Sequence, residues 1–255
     1  MMLYRLSAKE INFLCVVFQH PLPLIVRDPF EISTKKQIQE EWELFCEKFT
    51  EKGLFKTDTV GGIEVDEQLS QTMMCCFGAD MMISIIEKEQ INHVFYINSG
   101  QRMLLSKINN NEYDLQLYKN ENKFNNEFLR AIHCNHTNSI KESEPFVLEV
   151  PLKQFERLLE WYDGQKNKEI ANFCLENRVN YDICMMTLRD IHLSSGETVL
   201  TERINDPGTI LTKISHENGV ARLAKSIYSE NGDLVTLMQC ETLRLPSVVI
   251  DFMKG

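Results

Sequence analysis

VFYINSGQRMLLSKINNNEYDLQL, residues 94–117, is the stretch of sequence that decides the fold of this chain. Val94–Ile97 is apolar on both faces, as in a central strand that is covered on both sides. Asn98-Ser99-Gly100 then predicts a turn, and Met103–Ile108 predicts a second strand. Tyr113–Leu117 alternates apolar with polar residues, which is typical of a half-buried strand. The stretch therefore predicts an antiparallel meander.

Helical segments precede this meander. Ser7-Ala8-Lys9-Glu10 has the capping-box pattern of a helix start. A second helix is predicted to begin at Ser33–Thr34 and to carry one apolar stripe at helical spacing. The stripe consists of Ile38, Trp42, Phe45 and Phe49. Asp66 is expected to cap a third helix that ends near Phe77, so helices are predicted before residue 77 and strands after it.

The same order recurs in the second half of the chain. Phe146–Val150 predicts a strand, and three helices are expected between Pro151 and Ile191. Four further strands are predicted at Thr198–Ile204, Thr209–Ser215, Val220–Tyr228 and Leu234–Cys240. The turn signals between them are Asp206-Pro207-Gly208, Asn218-Gly219 and Asn231-Gly232, and Asn-Gly is the strongest short hairpin signal. A short helix over Ser247–Met253 is expected to close the chain.

The repeated order predicts an α/β (α+β) fold. We expect a quasi-two-fold pseudo-repeat with a central antiparallel β-sheet flanked by helical bundles. A single domain over residues 1–255 would then consist of an N-terminal half, 1–120, a connecting segment, 121–145, and a C-terminal half, 146–255. A chain of 255 residues is long enough to bury a sizeable core.

The charge balance argues against two classes of partner. The chain has 37 acidic and 27 basic side chains and a formal net charge of −10. Nucleic acids and anionic membranes are bound by clustered Lys and Arg, so we expect neither. No apolar run approaches the ~18 residues of a membrane span, and the N-terminus lacks the pattern of a secretory signal. Together with eight cysteines in mostly apolar segments, this predicts a reduced, cytoplasmic protein.

No catalytic signature is present in the sequence. His133-Cys134-Asn135-His136 is the only compact group of metal-type ligands, and no second pair stands at the spacing of a zinc site. Cys75-Cys76 are neighbours on a predicted helix, so their side chains point about 100° apart. There is no nucleophile elbow, phosphate loop or dinucleotide-binding motif. We therefore expect a binding protein with no metal and no cofactor.

Methionine is the more informative residue type. The eleven methionines include the adjacent pair Met185-Met186 on a predicted helix. Tyr181, Cys184 and Leu188 already supply the inward stripe of that helix, so one of the pair is expected to point outward. Methionine adapts to irregular surfaces and recurs at binding sites. Filling of the core is the alternative interpretation.

The order of segments in the N-terminal half resembles the EspG family of type VII (ESX) secretion chaperones. The matching segments are Leu6–Glu10, His20–Val26, Glu41–Leu44, Lys52–Leu54 and Val65–Leu69. The second half matches only in pattern. The resemblance implies a quasi-two-fold α/β fold with a central antiparallel sheet between helical bundles, which agrees with the repeat inferred from the residues.

The resemblance also implies a function and a surface. It implies a non-catalytic cytosolic chaperone or targeting factor that binds a type VII secretion substrate before export. In that family a hairpin projecting from the sheet and the C-terminal helical bundle contact the client. The equivalent partner-binding residues here are Asn98, Ser99, Gly100 and Gln101 at the hairpin tip and Met185, Met186 and Arg189 in the bundle.

Composition indicates which members of the EspG family the chain is more similar to. Nineteen asparagines, with abundant Lys and Ile, make it more similar to the EsaE-type members of Firmicutes than to the Ala- and Leu-rich actinobacterial members. The expected client is therefore a toxin or another helical-hairpin substrate rather than a PE–PPE heterodimer. The identity of the client, the stoichiometry and the oligomeric state stay open at this point.

Two other function classes fit the sequence. An immunity or regulatory protein that binds and neutralises a toxin would use the acidic surface against a basic enzyme. A chaperone leaves toxin activity intact and changes its export, whereas an immunity protein abolishes the activity. The third class is a metal- or thiol-dependent enzyme built on His133, Cys134 and His136.

Overall fold

The computed structural model describes residues 2–57, 62–134, 146–193, 198–203, 206–217, 220–227 and 233–251. The helices are α1 (Ala8–Val17), α2 (Lys35–Glu51), α3 (Glu67–Phe77), α4 (Glu121–Ala131), α5 (Leu152–Asp163), α6 (Asn167–Glu176), α7 (Tyr181–Leu193) and α8 (Leu245–Asp251). The strands are β1 (Met2–Ser7), β2 (Phe55–Thr57), β3 (Ile63–Val65), β4 (Met81–Glu87), β5 (Gln90–Ile97), β6 (Arg102–Lys107), β7 (Glu112–Tyr118), β8 (Phe146–Pro151), β9 (Thr198–Arg203), β10 (Asp206–Glu217), β11 (Val220–Ile227) and β12 (Leu234–Glu241). Within these ranges every helix is too short or too polar to cross a bilayer.

The chain folds into two compact units. The first comprises Met1–Asp80 and Asn92–Phe124, and the second comprises Met81–Ile91 and Asn125–Gly255. The first contains antiparallel strands in the order β1–β7–β6–β5. The second contains the antiparallel order β4–β9–β10–β11–β12–β8. The expected mixed α/β fold with antiparallel sheet is confirmed, while the quasi-two-fold repeat and the division into halves stay predictions.

In the first unit the capping box at the start of α1 is formed as the sequence predicts. Ser7 Oγ accepts from the backbone N–H of Glu10 at 3.2 Å, and Glu10 Oε2 accepts from the N–H of Ser7 at 2.7 Å. Lys48 of α2 then reaches Glu10 Oε1 at 2.6 Å. The carboxylate that caps α1 therefore also ties it to α2.

Aromatic side chains fill the space between α1 and α2. Phe13 of α1 contacts Phe45 and Trp42 of α2, with ring centroids 5.1 and 5.3 Å apart. Phe55 of β2 closes the cluster with an edge-on contact to Phe45 at 5.2 Å. Phe45 and Phe49 of the predicted stripe are thus buried in the core, whereas Ile38 and Trp42 at its N-terminal end are half-buried. Aromatic pairs of this kind add about 0.5–1.5 kcal/mol each beyond their area burial.

In the second unit α5, α6 and α7 cover one face of the sheet. Leu148, Leu237 and Ala224 are cross-strand neighbours on β8, β12 and β11, so their side chains share that face. They pack against Leu158, Cys184, Leu188 and other apolar residues of the three helices. The three helices predicted between Pro151 and Ile191 are confirmed, and they form a bundle on the sheet.

The structure corrects the expectation at Asp206-Pro207-Gly208. These residues belong to the long strand β10, and the register against β9 shifts between Asp206 and Thr209. A bulge accommodates proline and glycine inside a strand because it breaks the ladder locally, so the same residues that favour a turn also favour a bulge. The predicted turns at Asn218-Gly219 and Asn231-Gly232 lie outside the described residues.

β1 and the β2–β3 hairpin were not predicted from the sequence. β1 has six residues and is a strand because it pairs with β7, whereas β2 and β3 have three residues each and are too short to show an alternation. The closing helix begins at Leu245 rather than Ser247, since proline is tolerated in the first turn of a helix.

Replacement of Glu10 by glutamine tests the tie between α1 and α2. Burial by itself raises the pKa of Glu10, but hydrogen bonds from Lys48 and Ser7 outweigh it and leave the pKa below the ordinary 4.5. The carboxylate therefore contributes stability that is present above pH 4.5 and is lost as the pH falls through the lower folded-state pKa. We expect Glu10→Gln to lower the free energy of unfolding at pH 7 by about 1–3 kcal/mol in urea titration.

The matched control for that variant is Glu41→Gln. Glu41 also pairs with a lysine across α1 and α2, at 2.5 Å from Lys9 Nζ, but its side chain is 39% exposed. An exposed pair contributes about 1 kcal/mol or less. Equal losses in the two variants would contradict a special contribution of the buried carboxylate.

Candidate protein-binding surface

The predicted hairpin tip in the first unit is a tight loop between β5 and β6. The N–H of Asn98 donates to the carbonyl of Gln101 at 3.1 Å, and Asn98 Oδ1 accepts from the N–H of Gln101 at 3.0 Å. Ser99 and Gly100 are left as the exposed residues of the tip. Gly100 has φ +126°, a conformation that L side chains rarely adopt, so glycine is required there.

Arg102 stabilises the base of this hairpin. It is the first residue of β6, and it pairs with Ile97 across the ladder. Its Nη2 donates to Glu121 Oε1 at 2.8 Å, and its guanidinium lies 5.9 Å from the ring centroid of Phe124. The start of α4 thus holds the base of the hairpin while the tip stays exposed.

The predicted bundle residues lie on α7 in the second unit. Met186 is 40% exposed, whereas Met185 is half-buried and packs against the core of the bundle. The expectation that one of this pair points outward is confirmed. Arg189 is exposed and follows Met186 by three residues, so both belong to one face of the helix. Met186 and Arg189 are therefore the most exposed of the three predicted bundle residues.

A buried ion pair lies beneath that face. Asp190 Oδ2 accepts from Nη1 of Arg222 on β11 at 2.5 Å, and the two side chains are only 8% and 6% exposed. Nε of Arg222 donates to Gln239 of β12 at 3.1 Å. The other oxygen of Asp190 accepts from Arg189 at 2.7 Å. Asp190 thus links Arg189 on the exposed face of α7 to Arg222 on β11, and Arg222 in turn contacts Gln239 on β12.

This pair was not predicted from the sequence. The available signal is a cation inside the apolar run Val220–Ala224, since an arginine in a buried strand requires a carboxylate nearby. The partner, Asp190, looks like an ordinary helix-surface residue in the sequence. Its inward direction follows only from the rotation of α7 on the sheet.

The other candidate groups are in different surroundings. His133 is exposed with its Nε2 3.6 Å from Glu87, Cys134 is buried, and Asn135 and His136 lie outside the described residues. Among the described residues, no three His, Cys, Asp or Glu side chains are arranged as metal ligands.

Burial determines the protonation state of most thiols. It raises the pKa of Cys15 and of Cys75 to about 12, and it also raises the pKa of Cys76. A thiol that attacks a substrate needs the opposite shift. Cys174 has a lowered pKa because it is hydrogen-bonded to Cys184, and both lie in the core of the bundle. Cys75 and Cys76 are both buried, so this pair is part of the core of the first unit.

Among known proteins, no family model and no curated protein matches the sequence. A solved structure is similar over almost the whole chain: the Mycobacterium tuberculosis type VII secretion system chaperone EspG5 in complex with a PE25–PPE41 dimer. The TM-score is 0.54 with 11% sequence identity, covering 97% of this chain and 94% of the chaperone chain. The two chains share a fold.

The likeness to EspG5 confirms a mixed α/β fold like that of the EspG family, while the quasi-two-fold repeat stays a prediction. At 97% of the chain it extends over both units. At 11% identity it does not reach the level of individual side chains, so the roles of the seven predicted residues stay predictions. The closer relation to EsaE-type members also stays a prediction.

Asp190→Asn tests whether the buried pair holds α7 on the sheet. Removing one partner leaves the charge of Arg222 buried without compensation, which costs about 3–5 kcal/mol. We expect the double variant Asp190→Leu/Arg222→Met to recover most of that loss in urea titration, because no charge then remains buried.

The control is Arg189→Gln, which removes the exposed partner of the same carboxylate and is expected to cost about 1 kcal/mol or less. A double variant as unstable as Asp190→Asn would contradict this account.

Proposed function

We propose that this protein is a non-catalytic cytosolic chaperone or targeting factor that binds a type VII secretion substrate before export. The observation that carries the proposal is the fold shared with EspG5 over 97% of the chain, because that type VII secretion chaperone was solved in complex with a PE25–PPE41 dimer. A likeness of fold alone leaves the function open. The surface chemistry supplies the second argument.

That chemistry suits an apolar helical client. Secretion substrates built as helical hairpins expose apolar stripes until they find a partner. An exposed methionine beside an exposed arginine provides adaptable apolar area and a directional donor. Met186 and Arg189 supply this combination on α7, whose position is fixed by the buried Asp190. A helix face of this kind can pack against a client helix.

The hairpin tip is proposed as the second contact. Ser99 has a small side chain and Gly100 has none, so a client helix can approach the backbone closely. Gln101 and Asn98 hold the loop through their mutual hydrogen bonds, so they contribute mainly to its shape. We propose Asn98–Gln101, Met185, Met186 and Arg189 together as partner-binding residues.

Two finer statements belong to the same proposal. The composition favours an EsaE-type chaperone with a toxin or another helical-hairpin protein as client. The order of helices and strands favours two pseudo-repeats, residues 1–120 and 146–255, joined by the segment 121–145.

Deletion of the gene in its host tests the function. We expect a secreted substrate to accumulate inside the cell and to be lost from the medium, while its activity in a cytosolic assay is unchanged. Affinity purification of the tagged chain should recover the same substrate. Loss of toxin activity on co-expression, with export intact, would show a neutralising immunity protein and contradict the proposal.

Met186→Asp tests the proposed surface. An aspartate there opposes an apolar client, and we expect the affinity for the recovered substrate to fall about tenfold, equivalent to about 1.4 kcal/mol. The melting temperature should stay near that of the wild type, since exposed substitutions change stability by about 0.5 kcal/mol. The measurement is calorimetric titration with the purified substrate.

Leu44→Asp is the matched control, because Leu44 is 61% exposed on α2 in the first unit. It is expected to leave the affinity unchanged. Equal affinities of wild type and Met186→Asp would remove α7 from the binding surface, and unfolding of the variant would show that Met186 belongs to the core.

A further inference from the structure

An open groove in the first unit has no role in the proposed client surface. It lies between α1 and α2, has a volume of about 540 Å³, and is lined by apolar side chains that include Phe13, Phe30, Ile38 and Trp42. The charged residues that line it are Asp28 and Lys35. The volume of this groove and its apolar lining are typical of a binding site.

A turn beside the groove exposes an apolar side chain. The carbonyl of Phe30 accepts from the N–H of Ser33 at 2.9 Å, so Glu31 and Ile32 are the central residues of the turn. Ile32 is 97% exposed, the highest value among the large apolar residues that the structure describes. Phe30, at the base of the same turn, points into the groove. An apolar protrusion and an apolar groove thus lie next to each other.

Charge around the turn differs from charge elsewhere on the chain. The whole chain carries −10, so two copies repel each other over most of their surface. Residues 27–36 contain Arg27 and Lys35 against Asp28 and Glu31, and a further base, Lys36, that is paired with Glu40 at 3.6 Å, so this segment is close to neutral. In the part of the chain that the structure describes, neither Asp28 nor Lys35 forms an ion pair. The patch is therefore one that a second copy can approach.

We propose that this patch is the interface of a homodimer, with Ile32 of each protomer inserted into the groove of the other. A two-fold interface uses the same patch on both subunits, so a protrusion must lie beside the pocket that receives its counterpart. Ile32 and Phe30 meet this condition, since only Glu31 separates them.

Charge supplies the second element of self-complementarity. A two-fold axis through the patch places Asp28 of one protomer opposite Lys35 of the other, and the converse pair forms by symmetry. A patch with charges of one sign would repel its own copy. The occupant that matches both the apolar protrusion and the two opposite charges is a second copy of this chain.

The oligomeric state of the purified full-length chain tests the proposal. Sedimentation equilibrium over a concentration series is expected to show a monomer–dimer equilibrium, and Ile32→Asp is expected to weaken the dimer at least tenfold. Leu175→Asp is the matched control, because Leu175 is 79% exposed on α6 in the second unit, and it should leave the dimer unchanged. A wild-type chain that is monomeric at roughly 1 mM overturns the proposal.

Charge exchange separates direct pairing from damage to the turn. Asp28→Lys and Lys35→Asp should each weaken the dimer, and the double variant should restore it, because each pair is then reversed. Asp28 also accepts from the N–H of Phe30 at 2.8 Å, so a merely structural loss at Asp28 would not be restored by the second substitution. A double variant no better than either single one overturns the proposed pairing.

The same variants distinguish the other possible occupants. A monomer in which a small apolar probe changes the fluorescence of Trp42 would identify a ligand site and overturn the dimer. A chain that stays monomeric and loses client binding on Ile32→Asp would also overturn the dimer. The proposal is independent of the client, because the dimer is measured with the chain alone.

Discussion

The cation of Arg222 is the constraint on which the helical bundle depends. An arginine keeps its charge at any pH at which the protein is folded, so its burial in β11 requires a carboxylate in contact. Asp190 is that carboxylate, and it fixes both the position and the rotation of α7 on the sheet. With Asp190 turned inward, Thr187 and Leu188 are buried and Met186 and Arg189 face outward. A buried charge pair adds little net stability, but an arrangement of α7 that separated Asp190 from Arg222 would leave a buried charge uncompensated and is therefore disfavoured.

Some elements were predictable because their signals are local. Ser7 with Glu10, and Thr34 with Gln37, are capping boxes that need only four residues to form. The hairpin tip is of the same kind, since Asn98 and Gln101 bond to each other. That one of Met185 and Met186 points outward was predictable because the inward stripe of α7 was already complete, and the structure shows it to be Met186. The division between predicted core and predicted surface therefore held wherever neighbouring residues determine it.

Other elements depend on partners that are distant in sequence. β1 becomes a strand because β7 pairs with it, about a hundred residues later. Asp206–Gly208 joins β10 because β9 offers a ladder that a bulge can follow. Asp190 turns inward because of an arginine 32 residues away. In each case the local sequence fits two conformations, and a tertiary contact selects one of them. The periodicity of a single sequence does not show which of the two conformations the tertiary contact selects.

The small size of the hairpin tip has a consequence for the thermodynamics of recognition. A long binding loop loses conformational entropy when a partner orders it, at roughly 1–2 kcal/mol per residue fixed. Here Ser99 and Gly100 are the exposed residues of the tip, the N–H of Gly100 donates to the carbonyl of Asn98 at 2.6 Å, and the φ of +126° at Gly100 is already set in the folded chain. Most of the ordering cost is therefore met during folding rather than during association. A partner that docks on this tip gains affinity from preorganisation, with little entropy left to lose.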